Sequence, residues 1–148
     1  MTKYSMIITF LFFTLCGNAI ASEKAIVGVW VNQAGGGLIE ITMEQGNVYG
    51  TIIGSPDSKT EERKDSKNPD PKLRNRSLLG AVILSDFTYH ENKKWPWAGG
   101  WIYDPNNGKK YKCKIRLVDN ETLEIRGYIG ISLFGRTETW KRYRKTEP

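Results

Sequence analysis

Beyond residue 22, apolar side chains recur at every second position in short runs that end at turn-forming residues. Residues 38–44 show this best: Ile39, Ile41 and Met43 alternate with Glu40, Thr42 and Glu44. Gln45, Gly46 and Asn47 then close a hairpin onto residues 48–53. In residues 109–118, Tyr111, Cys113, Ile115 and Leu117 share one face, and Lys110, Lys112, Lys114 and Arg116 share the other. In residues 122–128, Leu123, Ile125 and Gly127 fall on the apolar side. Residues 25–32, 78–87, 97–104 and 136–144 complete a set of eight strands with no convincing long helix. Most neighbours are joined by short turns, so the simplest topology is an antiparallel meander. Such a sheet removes its edges by closing on itself. The expected fold is therefore all-β, an eight-stranded antiparallel up-and-down barrel. Residues 54–77 interrupt the pattern as one long, charged, proline-bearing loop. Within it Asp70 is placed to cap a short helical turn through Pro71, Leu73 and Arg74.

Candidate binding residues follow from the same alternation. Trp97, Gly99, Trp101 and Tyr103 fall on one face of a strand, and large rings around a glycine frame a gap. These three aromatics are the first candidates for ligand contact inside a hollow barrel. In the last strand Arg136, Glu138, Trp140 and Arg142 alternate onto one side. If Trp140 points inward, Arg136 and Glu138 do too, and Arg136 then grips a carboxylate or phosphate. Otherwise the strand twists and both charges sit at the rim in water. Residues 68–76 form a candidate lid that offers Arg74 or Arg76 to an anionic head group. Trp30 in the first strand and Arg142 in the last become neighbours on closure, where the guanidinium seals the barrel by lying on the indole.

The N-terminus is of another kind. Lys3, an apolar run over 6–15, and Ala19 and Ala21 at the small-residue positions describe a Sec-type signal peptide cleaved after Ala21. That divides the chain into a leader, 1–21, and a barrel domain, 22–148, in a periplasmic or secreted protein. The net charge of +6 includes one charge from the leader and is weak grounds for nucleic acid, which is not an expected partner. Cys16 leaves with the leader, so Cys113 has no intrachain partner. His90 stands in a polar connection without a nucleophile beside it, and one histidine with one cysteine does not build a usual zinc site. No catalytic residue, metal or cofactor is assigned, and the balance leans away from an enzyme.

The Gly28-Val29-Trp30 start matched by Arg142 near the end resembles the lipocalin superfamily. A closer resemblance covers nearly the whole domain. It rests on Gly28-x-Trp30; on Asn68-Pro69-Asp70-Pro71-x-Leu73-Arg74 leading to Leu78-Leu79-Gly80; and on Trp97 with Gly100-x-Ile102-Tyr103-Asp104-Pro105-x-x-Gly108-x-x-Tyr111. Arg126-Gly127-Tyr128-x-Gly130 and Gly135-Arg136-Thr137-x-Thr139-Trp140-x-Arg142 complete it. This pattern is similar to the bacterial domain-of-unknown-function family 2147. The resemblance implies an exported lipocalin-like barrel and carries no assigned activity. The expected function is binding of a small hydrophobic or amphipathic molecule in a barrel cavity. The alternatives are an enzyme using cavity carboxylates, and a basic surface module that meets anionic lipid or polysaccharide. Contact with a membrane surface is not expected on the first reading, and the oligomeric state is left open.

Overall fold

The computed structural model describes residues 22–32, 36–56 and 63–145; the leader expected at 1–21 lies outside them. Eight strands follow in order: β1 Gly28–Val31, β2 Leu38–Glu44, β3 Asn47–Gly54, β4 Val82–Tyr89, β5 Trp97–Asp104, β6 Lys109–Asp119, β7 Thr122–Tyr128 and β8 Gly135–Arg142. Each pairs antiparallel with the next, and β8 returns to β1, so the sheet is a closed up-and-down barrel. The alternation read from β2, β6 and β7 is the alternation observed: Ile39, Ile41, Cys113, Ile115, Leu123 and Ile125 are all buried. Each such aliphatic side chain taken from water contributes about 1.5–3 kcal/mol.

The strands differ from expectation where tertiary contacts override local preference. Glu23–Ile26 is a 3₁₀ turn, although Ile26 and Val27 are good strand formers. The turn carries Ile26 into full burial at one end of the barrel. It also aims two carbonyls at indoles: Trp30 Nε1 donates to Ile26 O at 2.9 Å, and Trp97 Nε1 to Glu23 O at 3.2 Å. The link from β7 to β8 contains a further 3₁₀ turn, Ser132–Phe134.

Two irregularities decide what faces the interior. In β4, Asp86 adopts φ 65°, and Leu84 and Phe87 both point inward, opposite Gly50 and Val48. In β5, Gly99 adopts φ +78°, and the pairing steps from Trp97↔Ile115 to Gly100↔Cys113. The extra residue of a bulge reverses every face beyond it. Trp101 and Tyr103 therefore pair with Lys112 and Lys110 and lie on the outer wall, while Trp97 is inside. The single aromatic face expected from unbroken alternation does not form. Nor do the inward glycines leave a ligand-sized gap. A Cβ on Gly50 would lie 2.7 Å from Leu84 Cδ1, and one on Gly100 2.5 Å from the Phe87 ring. The protein's own side chains fill those spaces. Trp30, Trp97, Trp140 and Phe87 occupy most of the interior with the aliphatic rows.

Residues 63–77 of the long loop lie against the β5–β6 hairpin and the outer wall. Arg63 Nη2 donates to Asn106 Oδ1 at 3.0 Å, and Lys67 O stands 1.8 Å from where a Cβ on Gly108 would be. Asp70 caps the 3₁₀ turn Pro71–Leu73 by accepting from the Lys72 N–H at 2.9 Å, as its position before proline predicts.

Candidate functional site

The seal at one end is built by β1, β8 and the N-terminal turn. Closure pairs Trp30 with Arg142. The Arg142 guanidinium lies 4.1 Å above the Trp30 ring. Its three nitrogens donate to Val27 O at 3.0 Å, Ala25 O at 2.9 Å and Asn120 O at 2.7 Å. A cation over an indole with all its nitrogens engaged is a fixed rivet. Trp30 and Arg142 are brought together as the sequence suggested.

Along β8 away from that seal, Trp140 pairs with Leu123, Glu138 with Ile125 and Arg136 with Gly127. All three partners belong to the inner face, so the register places the β8 residues there too. Trp140 is only 2% exposed, yet its Nε1 finds no hydrogen-bond partner among the described residues. Glu138 and Arg136 approach at 3.8 Å with side chains 36% and 82% exposed. Both expectations for this pair are met in part: the inner face by register, water by position at the open end. Ile102 and Tyr111 pair across β5 and β6 beside Gly127, whose missing side chain faces Ile102 Cγ2 at 3.4 Å. The end opposite the seal thus combines apolar walls, one acid and one base, and the Trp140 N–H lies between it and the seal on the same inner face.

The other candidate residues lie elsewhere. Trp97 is buried at the sealed end, its ring 5.3 Å from that of Tyr89. Trp101, on the outer wall, lies under Lys110 at 5.3 Å. The Tyr103 hydroxyl donates to the buried Asp65, which also accepts from Asn68 Nδ2 at 2.7 Å and from Arg76 Nε at 2.9 Å. Burial alone would push the Asp65 carboxyl up, but the bonds from Tyr103, Asn68 and Arg76, and the Arg76 charge, hold it below its usual range. Burial and the Asp65 carboxylate push Tyr103 up to about 12. Arg76 is committed to Asp65, and Arg74 Nε donates to Asn68 O at 2.8 Å. The loop expected to close the barrel as a lid is instead bound to itself and to the outer wall. Cys113 is a free thiol inside the barrel, and burial pushes it above its ordinary range. Among the described residues no three His, Cys, Asp or Glu side chains gather as a metal would require.

One feature escaped sequence reasoning. A groove of about 540 Å³ opens on the outer wall, lined by Lys94, Trp95, Lys114, Arg126, Ser132 and others. Alternation placed Lys114 outside, and a register pairing it with Arg126 would have doubled the charge. That Trp95 and Ser132 come to the same spot from two separate connections has no signal in local pattern.

The bacterial family described as "Uncharacterized protein conserved in bacteria (DUF2147)" matches residues 28–142, from the first residue of β1 to the last of β8. The chain belongs to this family. Among solved structures, protein HP1028 from the human pathogen Helicobacter pylori, described as belonging to the lipocalin family, is similar. Its TM-score is 0.71 at 31% identity, covering 80% of this chain and 83% of that one. Comparison with curated proteins gives no match. The DUF2147 match contains both the Trp30–Arg142 seal and the β8 column. The fold is accordingly a lipocalin-like barrel, an architecture consistent with small-ligand binding.

Proposed function

We propose that this DUF2147 chain is an exported carrier that holds a small amphipathic molecule at the open end of its barrel. The supporting observation is Trp140: a buried indole N–H on the inner face with no acceptor among the described residues. Buried donors are nearly always paired, and an unpaired one costs about 1–3 kcal/mol. A ligand oxygen reaching it recovers that cost. Ile102, Tyr111 and Gly127 supply apolar surface, and Arg136 and Glu138 meet the polar group of the ligand at the rim. The packed interior near the seal limits the ligand to something short or to the tail of something longer. Export rests on the apolar leader ending in Ala19-Ile20-Ala21.

Titration with the amphipathic probe anilinonaphthalene sulfonate, read by its own fluorescence, tests this. Trp140→Phe keeps the bulk and removes the N–H, and should weaken binding roughly fivefold, the worth of about one hydrogen bond. Trp101→Phe, on the outer wall, should leave binding unchanged. Equal losses in both variants, or none in Trp140→Phe, would set the reading aside.

A further inference from the structure

The four most exposed large apolar side chains among the described residues all stand on one connection, that between β7 and β8. Ile129 is 66% exposed, Ile131 60%, and Leu133 and Phe134 75% each. The segment is held in place. Arg126 Nε donates to Ser132 O at 2.8 Å, its Nη2 to Leu133 O at 3.2 Å and its Nη1 to Thr137 Oγ1 at 2.8 Å. Lys114 Nζ donates to Ser132 Oγ at 2.9 Å. These polar bonds fix the backbone of a 3₁₀ turn whose large side chains face water. Among the described residues nothing covers them, and large exposed apolar side chains gathered on one connection mark interaction surfaces.

The same bonds form one side of the outer groove. Lys94, Lys114, Arg116 and Arg126 line it against a single acid, Glu124. Arg116 already occupies that acid, with Nε at 2.7 Å and Nη2 at 2.6 Å. Trp95 forms part of the lining, its ring 5.0 Å from Lys114 Nζ and 4.9 Å from the Arg116 guanidinium. Burial, then the charges of Arg126 and Lys94, pull Lys114 below the ordinary lysine range. The groove therefore holds more positive charge than it answers.

A soluble anion would answer the groove and leave the apolar tip in water. An apolar protein partner would cover the tip and leave the cations unmatched. A surface of anionic phospholipid answers both. We propose that this face docks on such a membrane: Leu133 and Phe134, with Ile129 and Ile131, enter the boundary between head groups and acyl chains, and lipid phosphates sit at Lys94 and Lys114. Trp95 beside the lysines then lies at head-group depth, where indoles are favoured. This site is separate from the barrel mouth and does not depend on any molecule held there.

The test is flotation with phosphatidylcholine vesicles, with and without phosphatidylglycerol. The protein is taken as an expressing cell delivers it, and intact mass establishes that all variants share one N-terminus. The wild-type chain should float with phosphatidylglycerol vesicles at least tenfold better than with phosphatidylcholine alone, and added salt should weaken this. Leu133→Ser with Phe134→Ser should abolish flotation, and the exposed positions leave thermal melting unchanged. Lys94→Gln should cost roughly fivefold with phosphatidylglycerol and little without it. Lys114→Gln should do the same, and its melting curve shows whether the lost Ser132 bond matters. Absence of wild-type flotation, or flotation indifferent to the apolar pair or to both lysines, overturns the proposal. So does competition by soluble glycerophosphate at its own concentration equal to that of the lipid. The part of the probe fluorescence that Trp140→Phe removes should be the same in all these variants, so the two proposals fail independently.

Discussion

The two ends of β8 carry the same kinds of side chain and treat them in opposite ways. At the sealed end, Arg142 meets three carbonyls and the face of Trp30, and the Trp30 and Trp97 indoles each donate to the N-terminal turn. One inward step from the seal, Trp140 is nearly as buried as Trp30 yet its N–H has no acceptor among the described residues, and at the far end of the strand Arg136 and Glu138 are loosely paired in water. The strand itself does not make this difference. Residues 22–27 bring carbonyls to the sealed end, while at the other the described residues 63–78 bind Tyr103 and Asn106 and bury Leu78 without supplying an acceptor for Trp140. Completed polar networks mark where the fold is held, and the ligand proposed above would complete the one left open.

Replacing residues at each place breaks or sharpens that contrast. Trp30→Ala should have the largest effect, a loss of about 3–5 kcal/mol in urea unfolding, because it empties the seal and removes the platform under Arg142. Asp65→Ala, which unlocks the outer loop, should cost roughly 2–3 kcal/mol, less than a fully buried pair because Arg76 remains partly solvated.

The same pair gives a pH signature. The folded Asp65 carboxyl titrates below its ordinary 3.8, so its contribution is present above about pH 4 and is lost as pH falls further. Tyr103 titrates near 12 rather than 10.0, so its contribution is complete below pH 10.0 and is lost as pH rises toward 12. Urea midpoints followed across pH should show both limbs in the wild-type chain and flattened limbs in Asp65→Ala. Smallest of all, Glu138→Gln should change stability by less than about 0.5 kcal/mol, since an exposed ion pair contributes little. A cost approaching that of Trp30→Ala would mean that the open end is as structural as the sealed one.

Much of the barrel was legible before any coordinates. The strands at 38–44, 97–104 and 122–128 have the boundaries read from alternation, and Cys113 is indoors where the β6 pattern put it. The Trp30–Arg142 seal followed from closure, since first and last strands must meet. The candidate site was legible only in pieces. Trp140 and its β8 neighbours share the inner face as the pattern said. Trp101 and Tyr103 do not join Trp97, because the φ +78° of Gly99 adds a residue that no periodicity announces. The outer groove was missed because its lining comes from strands and connections far apart in the chain.

Period-two burial, turn chemistry and the need to hide strand edges act locally or follow from strand count, so the sequence by itself determined a closed eight-stranded wall and the side on which most residues sit. Whether its interior is filled, which aromatics face out and which N–H goes unpaired depend on bulges and on side chains arriving from distant segments. Those are properties of packing in three dimensions. The tertiary structure alone decided them, by placing Leu84 and Phe87 into the gaps at Gly50 and Gly100 and by leaving Trp140 without an acceptor among the described residues.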